Sequence, residues 1–128
     1  MPRNKCILVV DDDSSVRVSM NRLLRAYGFS VLLFESGKEL LERGDLDDAV
    51  CAILDVNLGD HSGIDLRRRL IAHGGLLPVI FITGSDSPAN RSAAIESGCA
   101  AYLTKPFAAH ALIESIQKAR AGIVAGAP

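Results

Sequence analysis

Polar residues close several short apolar runs of this chain, and their types fit together chemically. Asp11, Asp12 and Asp13 follow the run 6–10, Asp55 closes 50–54, Thr83 closes 79–82, and Thr104 and Lys105 follow 101–103. Several carboxylates close together repel and need a cation among them. Hard oxygen donors that leave room for retained waters suit Mg²⁺ or Mn²⁺. A lysine and a hydroxyl opposite them suit an anion, and phosphate fits best. The metal and Lys105 could neutralise phosphoryl oxygens while Thr83 donates a hydrogen bond. Asp55, placed centrally, can act as the nucleophile and form an aspartyl phosphate. Gly84, directly after Thr83, leaves room for the group to approach.

These residues need a scaffold that delivers them to one place, and the apolar runs describe one. The runs 6–10, 31–34, 50–54, 79–82 and 101–103 are mostly Val, Ile and Leu, apolar at every position. Strands buried on both faces read that way. Helical spacing fills the intervals. The first helix is predicted from Ser14, with Val16, Met20, Leu23, Leu24 and Tyr27 on one face, ending at Gly28. The second opens on a capping box, Ser36 with Glu39, and stops at Gly44. The third opens on Ser62 with Asp65 and stops at Gly74. The fourth follows Ser87 and Pro88, an N-cap and first-position proline, and its small Ala93, Ala94 and Ile95 predict loose packing. The fifth carries Leu112, Ile116, Ala119 and Ile123 as a stripe. Five strand and helix alternations imply a doubly wound α/β fold with a parallel sheet. Ligands of such sheets bind at the carboxyl ends of the strands, where all these polar groups fall.

Bulk properties agree. A chain of 128 residues fits one domain, and 48% hydrophobic residues suffice for a core. A formal net charge of -1 argues against direct nucleic-acid binding and against a polybasic membrane contact. Cys6, Cys51 and Cys99 match neither a zinc pattern nor a CxxC redox pair and read as reduced thiols. No apolar stretch reaches the length of a membrane span, and the run after the basic start is short for a signal peptide. The expected location is the cytoplasm.

Four segments taken together resemble the signature of receiver domains of two-component response regulators: Val9-Val10-Asp11-Asp12-Asp13, Leu54-Asp55-Val56-Asn57, Ile82-Thr83-Gly84 and Tyr102-Leu103-Thr104-Lys105-Pro106-Phe107. The resemblance runs from about Lys5 to Ala121. It implies a receiver domain over 1–121, with 122–128 as a flexible tail or linker stub. It further implies a flavodoxin-like five-stranded parallel sheet of order 2-1-3-4-5 with five helices. By the same resemblance Asp11 and Asp12 hold Mg²⁺, Asp12 more directly. Asp55 is phosphoacceptor and metal ligand, and the backbone carbonyl of Asn57 completes the protein's share of the shell. Thr83 and Lys105 contact the phosphoryl group, with Gly84 and Ser85 as neighbours. Thr83 is drawn inward and Tyr102 changes rotamer, altering the surface of helix four, strand five and helix five. The Lys105–Pro106 bond is implied to be cis. Implied partners are a histidine kinase or histidine phosphotransfer protein as phosphohistidine donor, a downstream output domain or protein, and a second copy through the helix four, strand five and helix five surface.

Other readings of single residues stay open beside this one. Asp13 or Ser14 could cap the first helix, Tyr102 could be plain packing, and Arg67, Arg68 and Arg69 read as a solvated face. His61, His73 and His110 are scattered, and His61, close to the site by sequence, reads as a solvated loop residue. The loop Leu58-Gly59-Asp60-His61-Ser62-Gly63 departs from the family, which usually has proline where Gly59 stands; Asp60 adds a carboxylate. An aspartate-based phosphatase wants a second acid two residues beyond its nucleophile, where this chain has Asn57. A flavodoxin-type cofactor site would be repelled by the three aspartates. An inert pseudo-receiver is opposed by the complete site. Stand-alone receiver and fragment of a larger regulator or hybrid kinase both remain possible. The chain also resembles receivers that precede helix-turn-helix output domains, notably at Gly28-Phe29 and Phe81-Ile82-Thr83-Gly84.

Overall fold

The computed structural model describes residues 6–43, 46, 48–58, 61–72 and 77–125. The readings made at Gly44, Gly59, Asp60, His73 and Gly74, at the side chain of His61 and at 126–128 lie outside the described residues. The main strands are β1 Cys6–Val10, β2 Ser30–Phe34, β3 Ala49–Asp55, β4 Val79–Thr83 and β5 Ala101–Thr104. The helices are α1 Ser14–Ala26, α2 Gly37–Arg43, α3 Gly63–Ala72, α4 Pro88–Glu96 and α5 Ala109–Arg120. The strands pair in parallel, in the order β2-β1-β3-β4-β5. This is the expected doubly wound, flavodoxin-like sheet.

Alternation along each strand divides the core in two. Leu8, Val10, Ala52, Leu54, Val79 and Phe81 face α2, α3 and α4, where Leu40, Leu66, Leu70 and Ala94 cover them. Ile7, Val9, Ile53, Ile80 and Ile82 face α1 and α5, where Met20, Leu24, Leu112 and Ile116 cover them. All of these strand residues are almost fully buried, which is why the runs carry no polar alternation.

Helix starts follow the capping chemistry. Asp13 caps α1 by accepting from the amides of Ser15 and Val16. Ser36 Oγ accepts from Glu39 N at 3.2 Å. Ser87 caps α4 by accepting from Asn90 N, and Pro88 takes the first turn. As expected of its small interior, α4 buries a single side chain, Ala94.

Three expectations fail. Tyr27 stands past the end of α1 as its C-cap and is 52% exposed. Ile123 stands past the end of α5 and is 51% exposed. In both cases the expected stripe runs past the real stop, to the C-cap of α1 and to the turn after α5, where Gly28 and Gly122 take positive φ. Arg67 is no solvated residue: its guanidinium donates to the carbonyls of Ser97, Gly98 and Leu77. Burial draws its pKa down from the usual arginine range.

A two-residue antiparallel ribbon, Asn57–Leu58 against His61–Ser62, follows β3 and was not foreseen. After α5 the chain returns to the body, where Ala125 N donates to Cys99 O at 2.8 Å.

Candidate functional site

Asp11, Asp55 and Lys105 continue the same strand parity on three strands, and they meet at the carboxyl edge. Asp11 is fully buried and Asp55 nearly so. Lys105 Nζ lies 3.0 Å from Asp55 Oδ2 and 3.3 Å from Asp11 Oδ2. The register that delivers it is fixed by Lys105 N donating to Thr83 O at 2.8 Å. The peptide between Lys105 and Pro106 is cis.

Each buried carboxylate is also held by its own turn. Asp11 Oδ1 accepts from Asp13 N at 2.9 Å, and Asp55 Oδ1 accepts from Asn57 N at 2.9 Å. The second oxygen of each is thereby aimed at Lys105. Gly63 lets α3 start against this turn. Its N–H donates to Val56 O at 2.8 Å, and a Cβ there would overlap the Asp55 carbonyl oxygen.

One carboxylate oxygen each from Asp11, Asp12 and Asp55 lies within 4.8 Å of the others, with Asp12 on the solvent side. Burial pushes the Asp11 carboxyl above its usual range; the Asp13 amide opposes this and the neighbouring Asp55 adds to it. Burial pulls the Lys105 ammonium down, but Asp55 and Asp11 outweigh it and hold its pKa above the ordinary value. Asp11 and Asp55 share one lysine and Asp12 adds a third carboxylate, so the charge balance is unfinished. An all-oxygen donor set open on one side fits a small hard divalent cation, and the cluster could hold a metal ion.

The other expected residues stand around this centre. Thr83 is buried, with Oγ1 accepting from Ser85 N at 3.0 Å. Gly84 is exposed, and a Cβ on it would meet only Lys105 Cδ, at 3.9 Å. Tyr102 pairs with a further carboxylate, that of Asp86. Its hydroxyl donates to Asp86 Oδ1 at 3.0 Å, and Arg91 lies over its ring. Asp86 and Arg91 escaped sequence reasoning. Both lie in or near α4, and only the pairing of β4 with β5 brings Tyr102 alongside.

The sequence matches the family "Response regulator receiver domain" over residues 7–117. The chain belongs to this family. This receiver domain is 41% identical over 109 residues to Response regulator MprA of Mycolicibacterium vanbaalenii, covering 84% of this chain and 46% of that protein. It is 34% identical over 117 residues to Response regulator protein TodT of Pseudomonas putida, covering 91% of this chain and 52% of that protein. Among solved structures it is similar to FixJ-N, with a TM-score of 0.87 and 29% identity, covering 98% of this chain and 99% of that one. The receiver domain thus spans about half the length of the curated relatives it matches. It is a signalling domain of two-component systems. No helix among its described residues is long and apolar enough to cross a membrane.

Proposed function

We propose that this receiver accepts a phosphoryl group on Asp55 from a phosphohistidine of a histidine kinase or histidine phosphotransfer protein in the cytoplasm. The observation that carries the reading is the meeting of Asp11, Asp12 and Asp55 oxygens within 4.8 Å beside a lysine 3.0 Å from Asp55. Asp55 Oδ attacks phosphorus, the phosphorus–nitrogen bond breaks, and the imidazole keeps that electron pair and takes a proton from solvent. Asp11, Asp12, Asp55 and the Asn57 backbone carbonyl would hold Mg²⁺ or Mn²⁺, which when bound supplies positive charge for the phosphoryl oxygens. Lys105 turns from the free carboxylate to a phosphoryl oxygen, keeping its charge paired throughout. Thr83 retains its hydroxyl proton while accepting from Ser85 N, so it can donate to another phosphoryl oxygen beside Gly84 and Ser85. Water later cleaves the acyl phosphate and restores Asp55.

Thr83 and Tyr102 are the switch residues in this reading, and their movement changes the α4, β5 and α5 surface. That surface serves an output domain or partner, or a second copy of the chain. We read 1–121 as the receiver unit and 122–128 as its tail or linker stub. The donor docks beside Lys105, where Val16, Met20, Leu23, Pro106 and Phe107 line a groove of about 420 Å³.

The test is incubation with acetyl phosphate and Mg²⁺ followed by intact-mass measurement. The expected result is one phosphoryl adduct on the wild type and none on Asp55→Asn. An adduct that persists in Asp55→Asn, or is missing from the wild type, overturns the assignment.

A further inference from the structure

We propose that Asp86 and Arg91 form a latch on Tyr102 that holds the receiver in its unphosphorylated arrangement. The proposal rests on the reading of Thr83 and Tyr102 as the switch pair. Register places Phe81 opposite Tyr102 and Thr83 opposite Thr104 on adjacent strands. Phe81 and Tyr102 both belong to the core layer under α4, and Thr83 shares the parity of Phe81. Thr83 and Tyr102 therefore stand on one face of the sheet, one strand apart. A tyrosine ring there has two destinations: toward Thr83, or out along α4.

Three contacts hold it along α4. The Tyr102 hydroxyl donates to Asp86 Oδ1 at 3.0 Å, Arg91 Nη2 pairs with Asp86 Oδ2 at 3.1 Å, and the Arg91 guanidinium lies 4.9 Å from the ring centroid. Each member touches the other two, so the ring is held by its edge and its face at once. The Arg91 hydrogen bond, aided by that from Tyr102, keeps the Asp86 carboxyl below its usual range, and it stays an acceptor at neutral pH.

The latch also reaches the chemistry through the chain. Asp86 sits three residues after Thr83 in the connection to α4. Within that connection Ser85 N donates to Thr83 Oγ1 and Asn90 Nδ2 donates to Ser85 O at 3.2 Å. Drawing Thr83 toward a phosphoryl group pulls on the segment that carries Asp86. At its far end α4 is fixed, because Arg67 on α3 donates to Ser97 O and Gly98 O. Motion of α4 is thus expected at the Asp86 end, where the latch sits.

Asp86 and Arg91 side chains are 41% and 50% exposed, and each contact alone is weak. A switch balanced between two states responds to small factors, and the coupling is reciprocal. If phosphorylation opens the latch, the latch opposes phosphorylation equally. The alternative is a surface pair that merely decorates the helix, with no influence on the ring.

The chain has two tyrosines, so Tyr27→Phe leaves Tyr102 as the sole reporter. With fluorotyrosine incorporated, the ¹⁹F resonance of Tyr102 is read with and without beryllofluoride and Mg²⁺ as a stand-in for the phosphoryl group. The expected result is that Asp86→Asn and Arg91→Gln, without any additive, move the resonance toward its beryllofluoride position. The same variants should speed acetyl phosphate labelling of Asp55 about threefold to tenfold. An unmoved resonance with labelling unchanged overturns the latch. If the wild type takes no phosphoryl group at all, the Asp55 reading falls by itself. The additive-free resonance of Asp86→Asn then still decides: moved supports a latch on the ring, unmoved overturns it.

Discussion

At the level of single residues the centre is a problem of charge. Asp11 and Asp55 are buried and share Lys105, while Asp12 adds a third carboxylate from the solvent side. A divalent cation that binds only the folded arrangement must stabilise it by mass action. At free Mg²⁺ tenfold above its dissociation constant, the gain is about 1.4 kcal/mol. The expected outcome is a higher melting temperature of the wild type in Mg²⁺, seen by calorimetry. Asp12→Asn should melt near the wild type without Mg²⁺, since Asp12 is exposed, and should lose most of the Mg²⁺ shift. Equal shifts in both proteins would remove Asp12 from the metal shell. This experiment reads binding alone and is blind to whether Asp55 ever reacts.

At the level of elements, the turn from β3 into α3 sets where Asp55 points. Gly63 is buried, and the atom that a Cβ would overlap is backbone, the Asp55 carbonyl oxygen. Backbone cannot rotate away, so Gly63→Ala is expected to destabilise by about 1–3 kcal/mol in denaturant titration. It should also slow labelling of Asp55 at temperatures where the variant is folded. Gly37→Ala is the contrast. Its Cβ would meet Leu66 Cδ1 at 2.9 Å, the end of a flexible side chain, so it should cost less. Equal costs at the two glycines would refute the close-approach account. Neither clash was legible in the sequence, since the Asp55 carbonyl and Leu66 meet these glycines only in the folded chain. The strands were legible because burial on both faces removes every polar alternative, as in Val79–Thr83. The site aspartates and Lys105 were legible because strand order sends all strand ends to one edge. Arg67 was misread because its acceptors at Ser97 and Gly98 lie 30 and 31 residues away. Local charge runs look alike whether they face water or cap another helix. Asp86 and Arg91 were missed for the same reason, since their target Tyr102 arrives from the next strand.

Across the whole molecule, three groups of residues occupy different ground. The carboxylates and Lys105 sit at the sheet edge. Tyr102, Asp86 and Arg91 sit on the α4 side. The apolar groove lined by Val16, Met20, Leu23, Pro106 and Phe107 lies on the α1 side. Because Lys105 borders that groove, we propose that a partner seated there brings its phosphohistidine to Asp55 while leaving Tyr102, Asp86 and Arg91 uncovered. Docking should therefore be separable from chemistry. Ser19 lines the groove and is exposed, so a long charged side chain at this position fills the groove without disturbing the core. Ser19→Arg is expected to leave acetyl phosphate labelling of Asp55 within about twofold of the wild type, as the small donor needs only the sheet edge. With an autophosphorylated histidine kinase that labels the wild type, transfer should slow by at least about tenfold, the size of a lost well-packed contact at an interface centre. Time courses of radiolabel transfer from kinase to receiver measure this directly. Slowing of both donors alike would mean that Ser19→Arg disturbs Lys105 itself. Slowing of neither would place the docking surface elsewhere.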